Sequence, residues 1–332
     1  MHVLATAMGA AAAAVRWVCR KKKKRDHKKN NSMKKRDLNQ TKKKRDLRNG
    51  EWLPVHHSTA ADGGMSFSLE EIMSATRNFG ETRVIGFGWQ GKVFRGVIVD
   101  ADGNNSTEVA IKRATPSSPR QNACEFGPEV EALRKLRHRH LVPLVGSCSC
   151  SKGGETILVY RYMPRGTLRE HLMTKPVMPW WRRLDACMGA ARGLHCLHAT
   201  GIVHGGVKTS NVLFDESWVA KLSDYGLSRS ATMESDVHSF GVVLFEVLTM
   251  ARPGDMVGGL VDYAVACHRN GTLKDAIDPE IKDQVAPECL EKFAETAVEC
   301  LAGNCIERPV IGDVLWNLEL AVQLQLLNSR RT

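Results

Sequence analysis

With 332 residues, 43% of them apolar, the chain is long enough to bury a large core as one big domain or as two lobes with a tail. Its formal net charge of +11 is concentrated: residues 20–48 hold sixteen Lys and Arg against three Asp, a local net of +13, which leaves the remainder at −2. A near-neutral body excludes a nucleic-acid-binding fold as the source of the basicity and assigns it to a tail.

The ten cysteines fall at irregular spacings, with no CxxC pair of the kind that holds zinc, and read as reduced thiols. In chain order, residues 1–19 open with a mostly apolar, Ala-rich run from Val3 to Val15. That run is shorter than the roughly 20 residues that span a bilayer, unless it extends past Arg16 through Cys19. Residues 20–64 come next as a polybasic linker in which Lys-Lys-Arg-Asp recurs at 23–26, 34–37 and 43–46. Such a block lies on anionic lipid at about 1 kcal/mol per well-placed charge, and by the positive-inside rule it keeps the downstream chain on the cytoplasmic side. The expected location is the cytoplasmic face of the plasma membrane, single-pass or peripheral, with cytosol as the alternative.

The folded part is expected over 65–332. Ser68-Leu-Glu-Glu71 has capping-box spacing and starts a helix. Val84 to Val99 reads as two strands around a glycine-rich turn, Val109 to Arg113 as a third strand, and Glu155 to Met163 as another. Beyond these the pattern is mostly helical. Strands first and helices after, without βαβ alternation, predict an α+β fold of two lobes, about 80–163 and 164–325.

Gly86-Phe-Gly88-Trp-Gln-Gly91-Lys-Val93 lies between strands, where the absence of side chains lets backbone amides approach phosphate oxygens. A dinucleotide fold needs a helix directly after the third glycine, whereas Lys92-Val-Phe-Arg-Gly continues as a strand. Val109-Ala-Ile-Lys112 ends in a lysine suited to phosphates, with Glu129 as its expected carboxylate partner. Pro128 beside it places the start of that helix there. Further on come His204-Gly-Gly-Val-Lys208-Thr-Ser-Asn211 and Asp224-Tyr-Gly226.

In this order the motifs resemble those of eukaryotic protein kinases over residues of about 80 to 320. The strings Phe67-Ser-Leu-Glu-Glu-Ile, Leu136-Arg-His-Arg-His-Leu141, Gly166-Thr-Leu-Arg-Glu-His-Leu172 and Gly189-Ala-Ala-Arg-Gly-Leu194 narrow this to the plant receptor-like Ser/Thr kinases, particularly the malectin-like group. The resemblance implies ATP with Mg2+ or Mn2+ as cofactors. It makes Tyr160 the gatekeeper and Arg161, Tyr162 and Met163 the hinge, with Val93, Ala110 and Leu213 around adenine. Asn211 and Asp224 become metal ligands, and Lys208 a γ-phosphate contact.

Two departures stand against transfer. Where the family carries His-Arg-Asp, this chain has His204, Gly205 and Gly206, so no carboxylate stands at the base position. A positioned base contributes about 10²- to 10⁴-fold, or roughly 3–5 kcal/mol of barrier. Between Gly226 and Ser235-Asp-Val-His-Ser-Phe-Gly241 about thirty residues of activation segment and peptide platform are missing, and Arg308 is expected to lose its glutamate partner. His204 is expected to be a satisfied packing histidine. The expectation is an ATP-binding pseudokinase that partners other kinases or receptors at the plasma membrane, touches anionic lipid through residues 20–48 and binds no nucleic acid. The alternative is a slow but active Ser/Thr kinase.

Overall fold

The structure is a computed structural model that describes residues 65–88, 91–99, 105–114, 133, 135–149, 156–226, 230–249 and 259–328. The expected membrane segment and polybasic linker, residues 1–64, lie outside the described residues, as does Glu129.

The amino-terminal lobe is a six-stranded sheet of β1 (Met65–Ser66), β2 (Val84–Gly88), β3 (Gly91–Val99), β4 (Ser106–Ala114), β5 (Leu144–Ser149) and β6 (Thr156–Arg161), in the order β1-β5-β6-β4-β3-β2. β1 runs parallel to β5 and every other pairing is antiparallel. Helix α1 (Leu69–Thr76) starts at Ser68 with the predicted capping box: Ser68 Oγ accepts from the Glu71 N–H, and Glu71 accepts from the Ser68 N–H. Ile72 of α1, fully buried, joins Phe67, Phe94, Val109, Ile111, Ile157 and Val159 in a core on one side of the sheet.

The strand register decides what faces the other side. Val93 pairs with Lys112, Arg95 with Ala110, Lys112 with Leu158 and Ala110 with Tyr160. Residues directly opposite share a face and alternate residues return to it, so Val93, Ala110, Lys112, Leu158 and Tyr160 all point away from the upper core.

The second lobe holds α2 (Leu168–Met173), α3 (Trp180–Ala199), the hairpin of β7 (Val212–Phe214) and β8 (Ala220–Leu222), α4 (Met233–Thr249), α5 (Gly259–Arg269), α6 (Leu273–Ala276), α7 (Pro287–Cys300) and α8 (Ile311–Asn328). Its core runs continuously from Leu141 and Leu144 under the sheet, through α3 and α4, to α7 and α8. Arg183 crosses this core with no exposed surface. Its guanidinium donates to Asp278 at 2.6 Å and to the Met178 and Val247 carbonyls at 2.8 Å, so the buried charge is both paired and hydrogen-bonded. Among the described residues no helix is long and apolar enough to cross a membrane.

Candidate functional site

The site lies where the sheet's outward face meets the β7–β8 hairpin. Ala110 and Leu213 both pack at the edge of the lower core. The segment joining the lobes is fixed by backbone hydrogen bonds: the Arg161 N–H donates to the Pro143 carbonyl at 3.1 Å and the Tyr162 N–H to the Glu108 carbonyl at 3.3 Å. The Met163 N–H makes no backbone hydrogen bond among the described residues, so it remains available as a donor. The Tyr162 ring carries the Arg95 guanidinium 4.7 Å above its centre, and this residue contributes a platform more than a polar contact. Tyr160 is buried, and burial first, then Asp224 and Tyr225, holds its hydroxyl well above the ordinary tyrosine range. It is a neutral wall.

Gly86 pairs with Val93 and Gly88 with Gly91 across the β2–β3 hairpin, so the three glycines sit in strand register at its turn. Gly91 has φ of 125°, a conformation that a side chain would strain. Lys112, 6% exposed, places its ammonium 2.9 Å from Asp224 Oδ1. Asp224 occupies the left-handed region at φ 58°. This turn is anchored by Tyr225, whose buried hydroxyl donates to the Val142 carbonyl at 2.8 Å, and by the Gly226 N–H donating to the His204 carbonyl at 3.2 Å.

The loop 203–211 is held from below by one carboxylate. Asp236, buried in the first turn of α4, accepts from the His204 N–H at 2.7 Å and the Gly205 N–H at 2.8 Å, with His198 Nε2 at 3.0 Å. Gly205 has φ of 72°. Asn211 donates its side-chain amide to the Gly206 carbonyl at 2.8 Å, and its own carbonyl accepts from the Ser223 N–H at 2.9 Å, tying this loop to the Asp224 turn. Thr209 donates to Glu246 at 2.8 Å, while burial raises the Glu246 carboxyl above its usual range. Lys208 is exposed.

Commitment of the Asn211 amide group to Gly206 leaves its side-chain oxygen without a hydrogen bond among the described residues. Asp224 meets Lys112 through Oδ1. One carboxylate oxygen and one amide oxygen are the hard, sparse donor set that Mg2+ accepts when phosphates and water complete its shell. The residues present therefore fit that ion.

A match to the family model described as protein tyrosine and serine/threonine kinase covers residues 80–233. Among curated proteins the chain is similar to the Arabidopsis thaliana receptor-like protein kinase ANXUR2, 43% identical over 84% of this chain and 39% of the relative. It is likewise similar to the receptor-like protein kinase FERONIA from the same plant, 48% identical over 78% of this chain and 32% of the relative. The chain belongs to the protein kinase family. It is a receptor-like-kinase relative with the kinase fold, and it spans about a third to two fifths of the length of these relatives. Among solved structures it is similar to the pseudokinase domain of BIR2, an immune regulator of the RLK/Pelle family, with TM-score 0.64 and 28% identity over 77% of this chain and 86% of that one.

Arg308, expected to lose its glutamate partner, donates its Nε to the Ala302 carbonyl at 2.9 Å and its Nη1 to the Glu234 carbonyl at 3.1 Å, because the first turn of α4 lies within reach of the guanidinium. One expectation changes in the folded chain. His204 is buried, but among the described residues both ring nitrogens lack a hydrogen-bond partner, since its aromatic neighbour, Tyr225, directs its hydroxyl to Val142 instead. Burial accordingly pushes the His204 imidazole below its ordinary pKa. Asp236, which organises the loop, is absent from the sequence-derived site. An Asp in the first turn of a helix reads as ordinary dipole compensation, and nothing local distinguishes it.

Proposed function

We propose that the chain is a pseudokinase of the receptor-like class that binds ATP with Mg2+ or Mn2+. In this reading it regulates other receptor kinases at the cytoplasmic face of the plasma membrane, tethered through residues 20–48 to anionic lipid. One contrast supports the reading: Lys112 pairs with Asp224, whose turn is hydrogen-bonded to the Asn211 backbone, while the adjoining loop position is Gly206, with hydrogen to offer where a carboxylate would orient a hydroxyl.

Residue by residue, the glycines of the β2–β3 turn bring backbone amides to the phosphates. Lys112 neutralises phosphate charge once released from Asp224, and the Met163 N–H faces the adenine edge. Val93, Ala110 and Leu213 supply apolar walls, Glu129 is the proposed second partner of Lys112, and Lys208 reaches the γ-phosphate. A bound divalent ion supplies charge neutralisation between phosphates. The likeness to a pseudokinase domain named as an immune regulator supports the regulatory role. The folded domain is proposed as residues 65–332.

Thermal-shift titration of the full chain tests the nucleotide part. ATP at a hundred times Kd stabilises by about 2.7 kcal/mol, a shift that Lys112→Ala should remove. No response to ATP with either metal refutes it. A second reading, slow transfer without a base, draws on the same Lys112–Asp224–Asn211 arrangement, since much of phosphoryl transfer is positioning and charge neutralisation. Radiolabel transfer that is lost in Asp224→Ala would establish that reading.

A further inference from the structure

At the turn between β7 and β8, next to the segment that joins the lobes, four side chains form a stack of alternating rings and cations. The Arg182 guanidinium carbon lies 4.5 Å from the Trp181 ring centre and 4.2 Å from that of Trp218. Arg165 lies 4.6 Å from the same Trp218 ring. Trp181 is 58% exposed, Arg165 is exposed, and Arg182 and Trp218 are half-buried. Two like charges are thus held against one indole. The two carboxylates of this turn are engaged elsewhere: Glu216 pairs with Arg161 at 2.9 Å and Asp215 with Lys221 at 3.6 Å. Arg165 donates its Nε to the Glu216 backbone carbonyl at 2.9 Å, and among the described residues its terminal nitrogens make no hydrogen bond. Among the described residues the Arg182 side chain has no hydrogen-bond partner.

The stack is built at a cost. Trp218 sits in the β7–β8 turn at φ 64°, a left-handed conformation that costs a bulky residue about 1–2 kcal/mol. Asp215 holds that turn by accepting from the Ser217 N–H at 3.0 Å and the Val219 N–H at 2.9 Å. Trp218 also packs on Phe214 and His171 at the edge of the core, so the strained turn fixes in place the indole against which both guanidinium groups lie. Trp and Arg are also the residue types that dominate interface energetics, and guanidinium planes fixed by stacking need little further ordering to grip a carboxylate with both prongs.

We propose that this ladder is a docking surface for an acidic segment of a partner protein. Carboxylate or phosphoryl groups of that segment meet the outward edges of Arg165 and Arg182, and an apolar side chain lies on Trp181. Charge complementarity selects this occupant: two unneutralised guanidinium groups demand discrete anionic acceptors. A bilayer would favour several protruding apolar side chains, and here one indole protrudes. The proposal names the chemistry of a partner for the regulatory role above, but none of the four stacked residues is among those assigned to the nucleotide, so it stands or falls separately from ATP binding.

The test uses the full chain and photo-cross-linkable peptides rich in Glu and Asp, with and without phosphoserine, against an otherwise identical peptide with Gln and Asn in their place. The acidic peptides should cross-link to Trp181 or to the 215–218 turn. Arg165→Glu and Arg182→Glu should each weaken binding by about tenfold or more, while Lys175→Glu, a charge reversal at a residue already paired with Glu280, should not. Unchanged melting temperatures in the variants confirm that the fold survives, and Arg165, the more exposed of the two, keeps the test open if Arg182→Glu fails to fold. Cross-links confined to residues 20–48, or affinity unchanged in both Arg variants, overturn the proposal. So would vesicles containing phosphatidylserine that bind through Arg165 and Arg182 while the peptides do not, since the face would then be a membrane contact.

Discussion

Replacing Asp236 with Ala removes the acceptor of two backbone N–H groups, His204 and Gly205, together with the contact to His198 Nε2. Asp236 is 1% exposed, so the orphaned donors have little access to water, and each buried unsatisfied donor costs about 1–3 kcal/mol. Allowing for partial relaxation around the smaller side chain, the expected loss is about 3–5 kcal/mol, the range measured when one member of a buried charged network is deleted. Against a total stability of about 5–15 kcal/mol this is a large share, and it lowers Tm by about 10 °C. Urea unfolding gives the magnitude, and amide hydrogen exchange at His204 and Gly205 locates it. Asp236→Asn, which retains one acceptor oxygen, should lose less. A loss below about 1 kcal/mol in the Ala variant, with exchange at both amides unchanged, would show that the loop is held by other contacts and would refute the argument, because even one orphaned donor exceeds that value.

Gly206→Asp is sterically open, since an added Cβ meets only Asn211 Nδ2 at 3.7 Å and His204 Nδ1 at 4.0 Å. If the missing base limits transfer, autophosphorylation should rise about 10²-fold or more over the parent; no rise with ATP binding retained would place the limit in the shortened segment. Burial lowers the His140 imidazole to about 4 and also lowers that of His204, so between pH 6.5 and about 4 the unfolded chain binds protons that the folded chain does not. Stability should therefore fall as pH drops through that window, read as a declining urea midpoint, and His204→Leu, which removes a ring without polar partners, should reduce the decline while leaving stability at pH 7 within about 1 kcal/mol. Arg183→Met strands Asp278 and should cost about 3–5 kcal/mol, whereas the double change Arg183→Met with Asp278→Leu should recover most of it in a double-mutant cycle.

Much of this was legible from local chemistry. Ser68 and Glu71 announced a capping box, the glycines at 86, 88 and 91 announced a hairpin turn, and Val109-Ala-Ile-Lys112 announced a strand whose alternation puts Lys112 in the cleft. β5 was not foreseen. Leu144-Val-Gly-Ser-Cys-Ser is short and broken by Gly146, and its strand character comes from pairing with β1 on one side and β6 on the other. The roles of Asp236 and Arg308 also depend on long-range approach: 32 positions separate Asp236 from His204 and 74 separate Arg308 from Glu234. The Trp181–Arg182–Trp218–Arg165 stack joins three separate stretches of chain for the same reason.

Two residues close the outer edge of the sheet. β1 lies along β5 with Met65 opposite Gly146, and a Cβ on that glycine would fall 2.1 Å from the Met65 carbonyl oxygen, so only glycine admits the leader there. A protein trimmed to begin at residue 70 would bare the backbone of β5 as an unguarded rim, inviting a neighbour's strand to attach. Shortening this polypeptide from its front thus risks self-association well before it touches the cleft, and the leader doubles as a sheath against aggregation.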